Sequence, residues 1–355
     1  MMEDEAPIAH GGALDEARKR YPLAPEPWID LSTGINPVPY PLPALPPEVW
    51  ARLPLGCEDF ELRQAAAVRY GAPDAESIAA APGTQALIQI IPRLVGRTRV
   101  AVLAPTYAEH RAAWEREGHD VREVETLSQA QAAANVVVVV NPNNPTGKVI
   151  PVEVLREAAH GLEQRRGLLV VDEAFMDVME PFCSLIPALP QAAIVLRSFG
   201  KMYGLAGLRL GSAVADRGIA KRLRDLLGPW AVSGPAIAIG QAALSDNVWL
   251  AAARRRLARD ARRLDEILQG AGCQVLGGTP LFRLAANPLA NDLASTLGRH
   301  GVLVRRFSHE PTWLRFGIPG HETAWLRLQA ALSGQHAPPA SSQSSLAITT
   351  AIRRT

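Results

Sequence analysis

Five consecutive valines, Val136–Val140, run straight into the turn sequence Asn141-Pro142-Asn143-Asn144-Pro145-Thr146-Gly147. An unbroken β-branched run of this length fits a strand buried on both faces, and such strands occur mainly in parallel sheets covered by helices. The two prolines and the glycine enforce a turn directly afterwards. The pattern repeats along the chain. Apolar strands are expected near residues 100–103, 136–140, 168–171, 194–196 and 210–213, with helical stretches between them. Residues 99–214 are therefore expected to form a largely parallel sheet with helices on both faces.

Open sheets of this class bind ligands beyond the carboxyl ends of their strands. The residues placed there are chemically selective. The run 168–171 delivers Asp172-Glu173-Ala174-Phe175. The run 194–196 leads into Arg197-Ser198-Phe199-Gly200-Lys201, with Arg209 eight residues further on. Upstream, Ala81-Pro82-Gly83-Thr84-Gln85 opens an apolar helix that runs to about Ile91. Its free N–H groups attract a phosphate, and Gly83 lets the backbone come close. Taken alone, the lysine segment could also be an ordinary loop with a solvated side chain. A serine three residues before a lysine and an arginine eight after it also suit an amine bonded to an aldehyde cofactor whose phosphate lies beside the serine and arginine. Pyridoxal 5′-phosphate (PLP) is such a cofactor, bound as a lysine Schiff base with an acidic partner for its pyridine nitrogen. Asp172 supplies the acid, and an Asn of the proline turn can donate to the ring hydroxyl.

These four segments, in this order, resemble the aspartate-aminotransferase superfamily of PLP enzymes (fold type I) over roughly residues 8–333. The resemblance implies a large domain with a mostly parallel sheet between helices, plus a smaller C-terminal α/β domain. It implies that Lys201 is the Schiff-base lysine, Asp172 the partner of the pyridine nitrogen and Asn144 the contact to the ring hydroxyl. Ser198, Arg209 and Gly83-Thr84-Gln85 would hold the phosphate, and Tyr107 would stack on the ring. His110 fits a partner of Asp172, and Arg315 the grip on a substrate carboxylate. Two positions depart from the family pattern. Phe175 stands where a Tyr is usual, and Arg52-Leu53-Pro54 stands where a neighbouring subunit usually contributes a Tyr.

At 355 residues the chain has ample core for two domains. The expected division is an N-terminal arm over 1–45, a large PLP-binding domain over 46–225, a small C-terminal domain over 226–333 and a disordered tail over 334–355. After Gly218 long helices run to Leu268. Short strands follow near 274–275, 281–285 and 302–305, then a helix over about 322–332. A net charge of +2 gives no general argument for nucleic acid. The six arginines between Arg254 and Arg263 fit the solvated side of a long helix better than a DNA contact. Cys57, Cys183 and Cys273 lack metal spacing and read as reduced thiols of a cytoplasmic enzyme. No run is long and apolar enough for a membrane helix, and the acidic start Met2-Glu3-Asp4-Glu5 does not read as a signal peptide.

The arm narrows the expected activity. His10-Gly11-Gly12, the stretch Asp30-Leu31-Ser32-Thr33-Gly34-Ile35-Asn36-Pro37, Asp-Glu-Ala-Phe at 172–175, residues 228–235 and Arg305-Arg306-Phe307 resemble the threonine-phosphate decarboxylase branch of this superfamily. That branch implies decarboxylation of L-threonine O-3-phosphate to (R)-1-amino-2-propanol O-2-phosphate in cobalamin biosynthesis, by a homodimer. Its substrate, a phosphorylated amino acid, would meet Arg315, His10, Gly34 and Asn36, with Arg306 a further candidate for the phosphate. A histidinol-phosphate-type aminotransferase is the alternative.

Overall fold

A computed structural model describes residues 11–179 and 183–334. The first strand, β1 (Ile29–Leu31), comes from the arm. Seven more follow: β2 (Ile78–Ala81), β3 (Arg99–Leu103), β4 (Asp120–Val124), β5 (Val136–Val140), β6 (Leu168–Asp172), β7 (Ala193–Ser198) and β8 (Gly211–Ala215). These seven form one sheet in the order β2-β8-β7-β6-β5-β3-β4, parallel except for β8, which runs against both neighbours. Alternate residues of the valine strand feed opposite sides. Val137 and Val139 pack with Leu155 and Leu162 on one face. Val136 and Val138 pack with Leu87, Ile91 and Trp114 on the other. Both faces are thus covered, as expected for a buried parallel sheet.

Register brings the signature residues to one edge of this sheet. Val140 lies opposite Asp172, and Asp172 opposite Leu196. Ala81 and Ser198 both lie opposite Gly211, from either side. The Gly83 turn, Ser198 and Arg209 therefore converge, with Asp172 and the Asn144 turn one and two strands away.

The helices Arg217–Leu227, Gly234–Ser245 and Asn247–Gly270 follow, as the sequence pattern suggests. The longest buries Leu250, Leu257, Leu264 and Leu268 along one stripe. Its arginines divide between two environments. Arg255, Arg259 and Arg262 are exposed, whereas Arg254 donates to the carbonyl of Asp177 at 2.7 Å and Arg263 pairs with Glu322. The last strands, β9 (Gln274–Thr279), β10 (Phe282–Ala286), β11 (Val302–Arg306) and β12 (Trp313–Gly317), build the smaller sheet, in the order β1-β11-β12-β10-β9. The arm is more than a loose leader. It contributes the helix Leu14–Arg20 and the edge strand β1, which pairs in parallel with β11. The tail beyond Gly334 lies outside the described residues. Among the described residues no helix is long and apolar enough to cross a membrane.

Candidate active site

The phosphate end of the site is shaped by close approach. Gly83 has φ 87°, and a Cβ there would lie 2.5 Å from Arg209 Nη2. Arg209 itself takes a left-handed conformation, φ 55°, which costs an arginine energy and recurs at functional sites. Its Nη1 donates to the carbonyl of Ala206 at 3.1 Å, and it pairs with no carboxylate among the described residues. Ser198 is buried at the end of β7, and its hydroxyl caps no N–H of the following helix, Phe199–Met202. A guanidinium, a hydroxyl and the start of the helix Thr84–Ile90 thus lie together at one edge of the sheet. This donor set, in a cradle that a side chain at 83 would fill, fits the phosphate of PLP.

The Gln85 side chain is engaged beside this turn. Its side-chain amide donates to Glu109 at 2.8 Å and accepts from the Tyr107 hydroxyl at 3.2 Å. The glutamine orients the tyrosine, so only its backbone faces the phosphate end. Burial, then the charges of Glu109 and Asp172, push the Tyr107 phenol up to about 12, so it stays protonated.

Asp172 ends β6 with both oxygens engaged. Oδ1 accepts from the backbone N–H of Ala174 at 2.9 Å, and Oδ2 lies 2.9 Å from His110 Nε2. The neighbouring acid has another task. Glu173 is fully buried and binds Ser184, the N–H of Leu185 and Arg197, which also reaches Asp177 at 2.6 Å. Glu173 and Arg197 tie the ends of β6 and β7 together, next to Asp172 and Ser198.

The three asparagines of the turn separate by role. Asn141 bonds Ile150 through both amide atoms, and Asn143 holds Thr106, Thr146 and Pro105. Asn144 alone points across to the smaller sheet, where its Oδ1 accepts from Arg315 Nη1. A guanidinium can only donate, so the contact turns the Asn144 NH2 away from Arg315, as a donor for a bound group.

Lys201 lies between these groups. Its amine makes no hydrogen bond or ion pair among the described residues and sits 5.5 Å from the ring centre of Phe175. Burial, then the charge of Arg315, lowers its pKa to about 8. Asp172 opposes this shift, and Arg209 adds less than Arg315. Phe175 packs edge-on against Phe282, with centroids 4.9 Å apart. Gly34 lies against both rings, and a Cβ there would come within 2.8 Å of Phe175. Gly34 thus completes an apolar wall beside the amine.

The substrate-side groups come from the smaller sheet and the arm. Arg315 is buried, donates to the carbonyl of Ser32 at 2.6 Å and leaves its Nε without a hydrogen-bond partner. Burial, then the charge of Arg305, lowers its pKa to about 10. Arg305 stands directly opposite Arg315 across β11 and β12, so the two side chains share a face. Tyr107 also acts on the charge of Arg305. Arg306, the sequence candidate, turns to the other face, toward Tyr21 and Ser295. Alternation was the available signal. Val302, Val304 and Arg306 share one side of the strand, so Arg305 must take the opposite side. Asn36 also differs from expectation, because its amide is occupied by Met202 and Arg256. His10 lies outside the described residues. Gly12 donates to the Ser32 hydroxyl at 2.7 Å, so the start of the arm meets the residue whose carbonyl holds Arg315.

The chain as a whole is similar to known proteins. The family model for aminotransferase class I and II matches residues 56–330. A threonine-phosphate decarboxylase of Pseudomonas aeruginosa is 44% identical over 338 residues, covering 93% of this chain and 99% of that protein. A second, from a Sinorhizobium species, is 44% identical over 332 residues, covering 92% and 98%. Among solved structures, the histidinol-phosphate aminotransferase of Sinorhizobium meliloti in complex with pyridoxal-5′-phosphate superposes with a TM-score of 0.78 at 22% identity, covering 93% of this chain and 95% of that one. That likeness establishes the fold, which is PLP-transferase fold type I. The family model over residues 56–330 and the 44% identity to the two relatives, nearly end to end, go further than fold, and the chain belongs to the aminotransferase class I and II family.

Proposed function

We propose that this protein is a PLP enzyme that decarboxylates L-threonine O-3-phosphate to (R)-1-amino-2-propanol O-2-phosphate, a step of cobalamin biosynthesis. The observation that carries the reading is the pair of guanidiniums, Arg305 and Arg315, presented from adjacent strands on one face of the smaller sheet. Two guanidiniums placed directly opposite each other on one face can both donate to a bound anion. Two such groups suit a substrate with both a carboxylate and a phosphate. The relatives at 44% identity are decarboxylases of such a phosphoamino acid by name.

In this site PLP supplies an aldehyde for the amine and a ring that accepts the electron pair left when the Cα–carboxylate bond breaks. The protein's part follows from its own groups. Lys201, with its pKa lowered to about 8, is about one-tenth neutral at pH 7, far more than an ordinary lysine, as a nucleophile needs. Asp172, steadied by His110 and Ala174, offers a carboxylate to a ring N–H. Asn144 offers an amide donor, and Ser198, Arg209 and the Gly83-Thr84-Gln85 backbone hold the phosphate. Arg315 and Arg305 hold the substrate's anions. The apolar wall of Phe175, Phe282 and Gly34 flanks the amine on one side. Lys201 Nζ then returns a proton to Cα after CO2 departs.

Purified enzyme given phosphothreonine should release CO2 without any keto acid. Amino transfer that needs 2-oxoglutarate, with no CO2 released, would instead establish the histidinol-phosphate-type aminotransferase.

The working form is proposed to be a cytoplasmic homodimer. Trp50, Leu53, Leu55 and Phe60 are exposed within one short stretch, and Trp230 is 60% exposed. A cluster of large apolar side chains marks a contact surface better than a solvent face. Light scattering at micromolar concentration should give twice the chain mass. An active monomer would remove this part of the reading.

A further inference from the structure

We infer that Asn36, oriented by Arg256, is a positioning residue that fixes the turn carrying Lys201. The inference rests on Lys201 being the cofactor lysine. The helix Phe199–Met202 is only four residues long, too short to hold itself. The last carbonyls of any helix also need donors from elsewhere. Here the arm supplies them. The Asn36 backbone N–H donates to the carbonyl of Lys201 at 2.9 Å. Its side-chain Nδ2 donates to the carbonyl of Met202 at 2.8 Å. The Tyr40 N–H donates to the carbonyl of Tyr203, also at 2.8 Å. Three consecutive carbonyls are thus satisfied by one strip of arm.

The asparagine amide could face either way, and Arg256 settles the choice. Its Nη2 donates to Asn36 Oδ1 at 2.7 Å, so Nδ2 must face Met202. The Val38 N–H adds a second donor to the same oxygen at 3.1 Å. Asn36 is almost wholly buried, at 1% exposure, so water does not substitute for these bonds. The arrangement matters because the Lys201 amine has no hydrogen bond of its own among the described residues. Its place is set only by its backbone and by the walls around it.

The test compares Asn36→Ala, Asn36→Asp, Arg256→Met and Arg256→Lys with Arg263→Met. The last loses an ion pair on the same helix without touching the arm. Borohydride reduction of wild-type holoenzyme, followed by peptide mass analysis, first establishes whether Lys201 carries the cofactor. A label on another lysine sinks the functional reading, separately from this inference. The variants are then scored by kcat, KM, melting temperature and the rate at which stripped enzyme regains the visible absorbance on adding PLP. A displaced amine can cost about 10²-fold in rate. Asn36→Ala and Asn36→Asp should lose kcat on that scale and regain absorbance more slowly, with KM little changed. Asp keeps the Arg256 contact but lacks the donor for Met202, so it should fail like Ala. Arg256→Met should follow them and Arg256→Lys should recover. If the Asn36 variants do not fold, the Met and Lys pair at 256 decides. Equal kcat and re-attachment rate in Arg256→Met and wild type, or the same losses in Arg263→Met, would overturn the inference.

Discussion

Lys201→Ala abolishes turnover and leaves the fold standing. The amine is both the attachment point for the aldehyde and the nearest acid to Cα. Loss of general acid–base catalysis alone costs about 10²–10⁴-fold. No element of the fold depends on this ammonium, since it makes no hydrogen bond or ion pair among the described residues. Stability should respond in the opposite direction. The amine's pKa falls from 10.5 in the open chain to about 8 in the folded protein. Between those values the unfolded chain binds more protons, so stability rises with pH there. Below pH 8 the folded state carries the full penalty, and above 10.5 it carries none. Removing the lysine from cofactor-free protein should therefore stabilise it by up to about 3 kcal/mol at pH 7, less after allowance for partial solvent access. The gain should vanish by pH 10.5. Melting curves of stripped protein at pH 7 and above pH 10.5 check this. A fall in melting temperature at pH 7 would show that the amine holds a structural contact.

Asp172→Asn should lower kcat about 10³-fold, the scale seen when one preorganised electrostatic contact to a developing charge is lost. Asparagine keeps the shape, and its oxygen can still accept from Ala174. It cannot hold a positive ring nitrogen, so the electron sink weakens. Cofactor affinity should fall much less, because Ser198, Arg209 and the Gly83 turn are untouched. Kinetics and a cofactor titration on the same preparation separate the two effects. A variant with near-normal kcat would make this carboxylate a structural partner of His110 and nothing more.

The parts of the fold legible in the sequence are those where burial leaves a one-dimensional mark. The valine run of β5 and the acid-terminated β6 announce themselves, because a strand covered on both faces must be apolar throughout. The edge strand β4, Asp120–Val124, is mostly polar, and β2 reads Ile-Ala-Ala-Ala, a composition that favours helix when taken alone. Both become strands only because a neighbour offers hydrogen bonds. The same limit applies to the site. Asp172 and Ser198 end strands, Asn144 and Lys201 lie just beyond strand ends, and Arg209 lies just before β8, so sequence order locates them. Alternation along β11 puts Arg305 and Arg306 on opposite faces, but which face carries Arg315 depends on the register with β12, and the task of Asn36 depends on Arg256, more than two hundred residues away. Such facts belong to register and packing, and periodicity in a single segment does not carry them.

The pairing of β1 with β11 has a consequence for how the molecule is made. During synthesis the arm leaves the ribosome early, while the strand it will join is among the last to be translated. Until then Ile29–Leu31 has no partner, and the turn around Lys201 can form only once Asn36 and Tyr40 return to it. The seven-stranded sheet has all its strands by Ala215 and can assemble first, as large chains generally fold in parts. Pairing of β1 with β11 is thus a late, long-range event of the kind that slows folding. The same arm caps the helix that carries Lys201, so one segment serves both the smaller sheet and the turn beside the larger one.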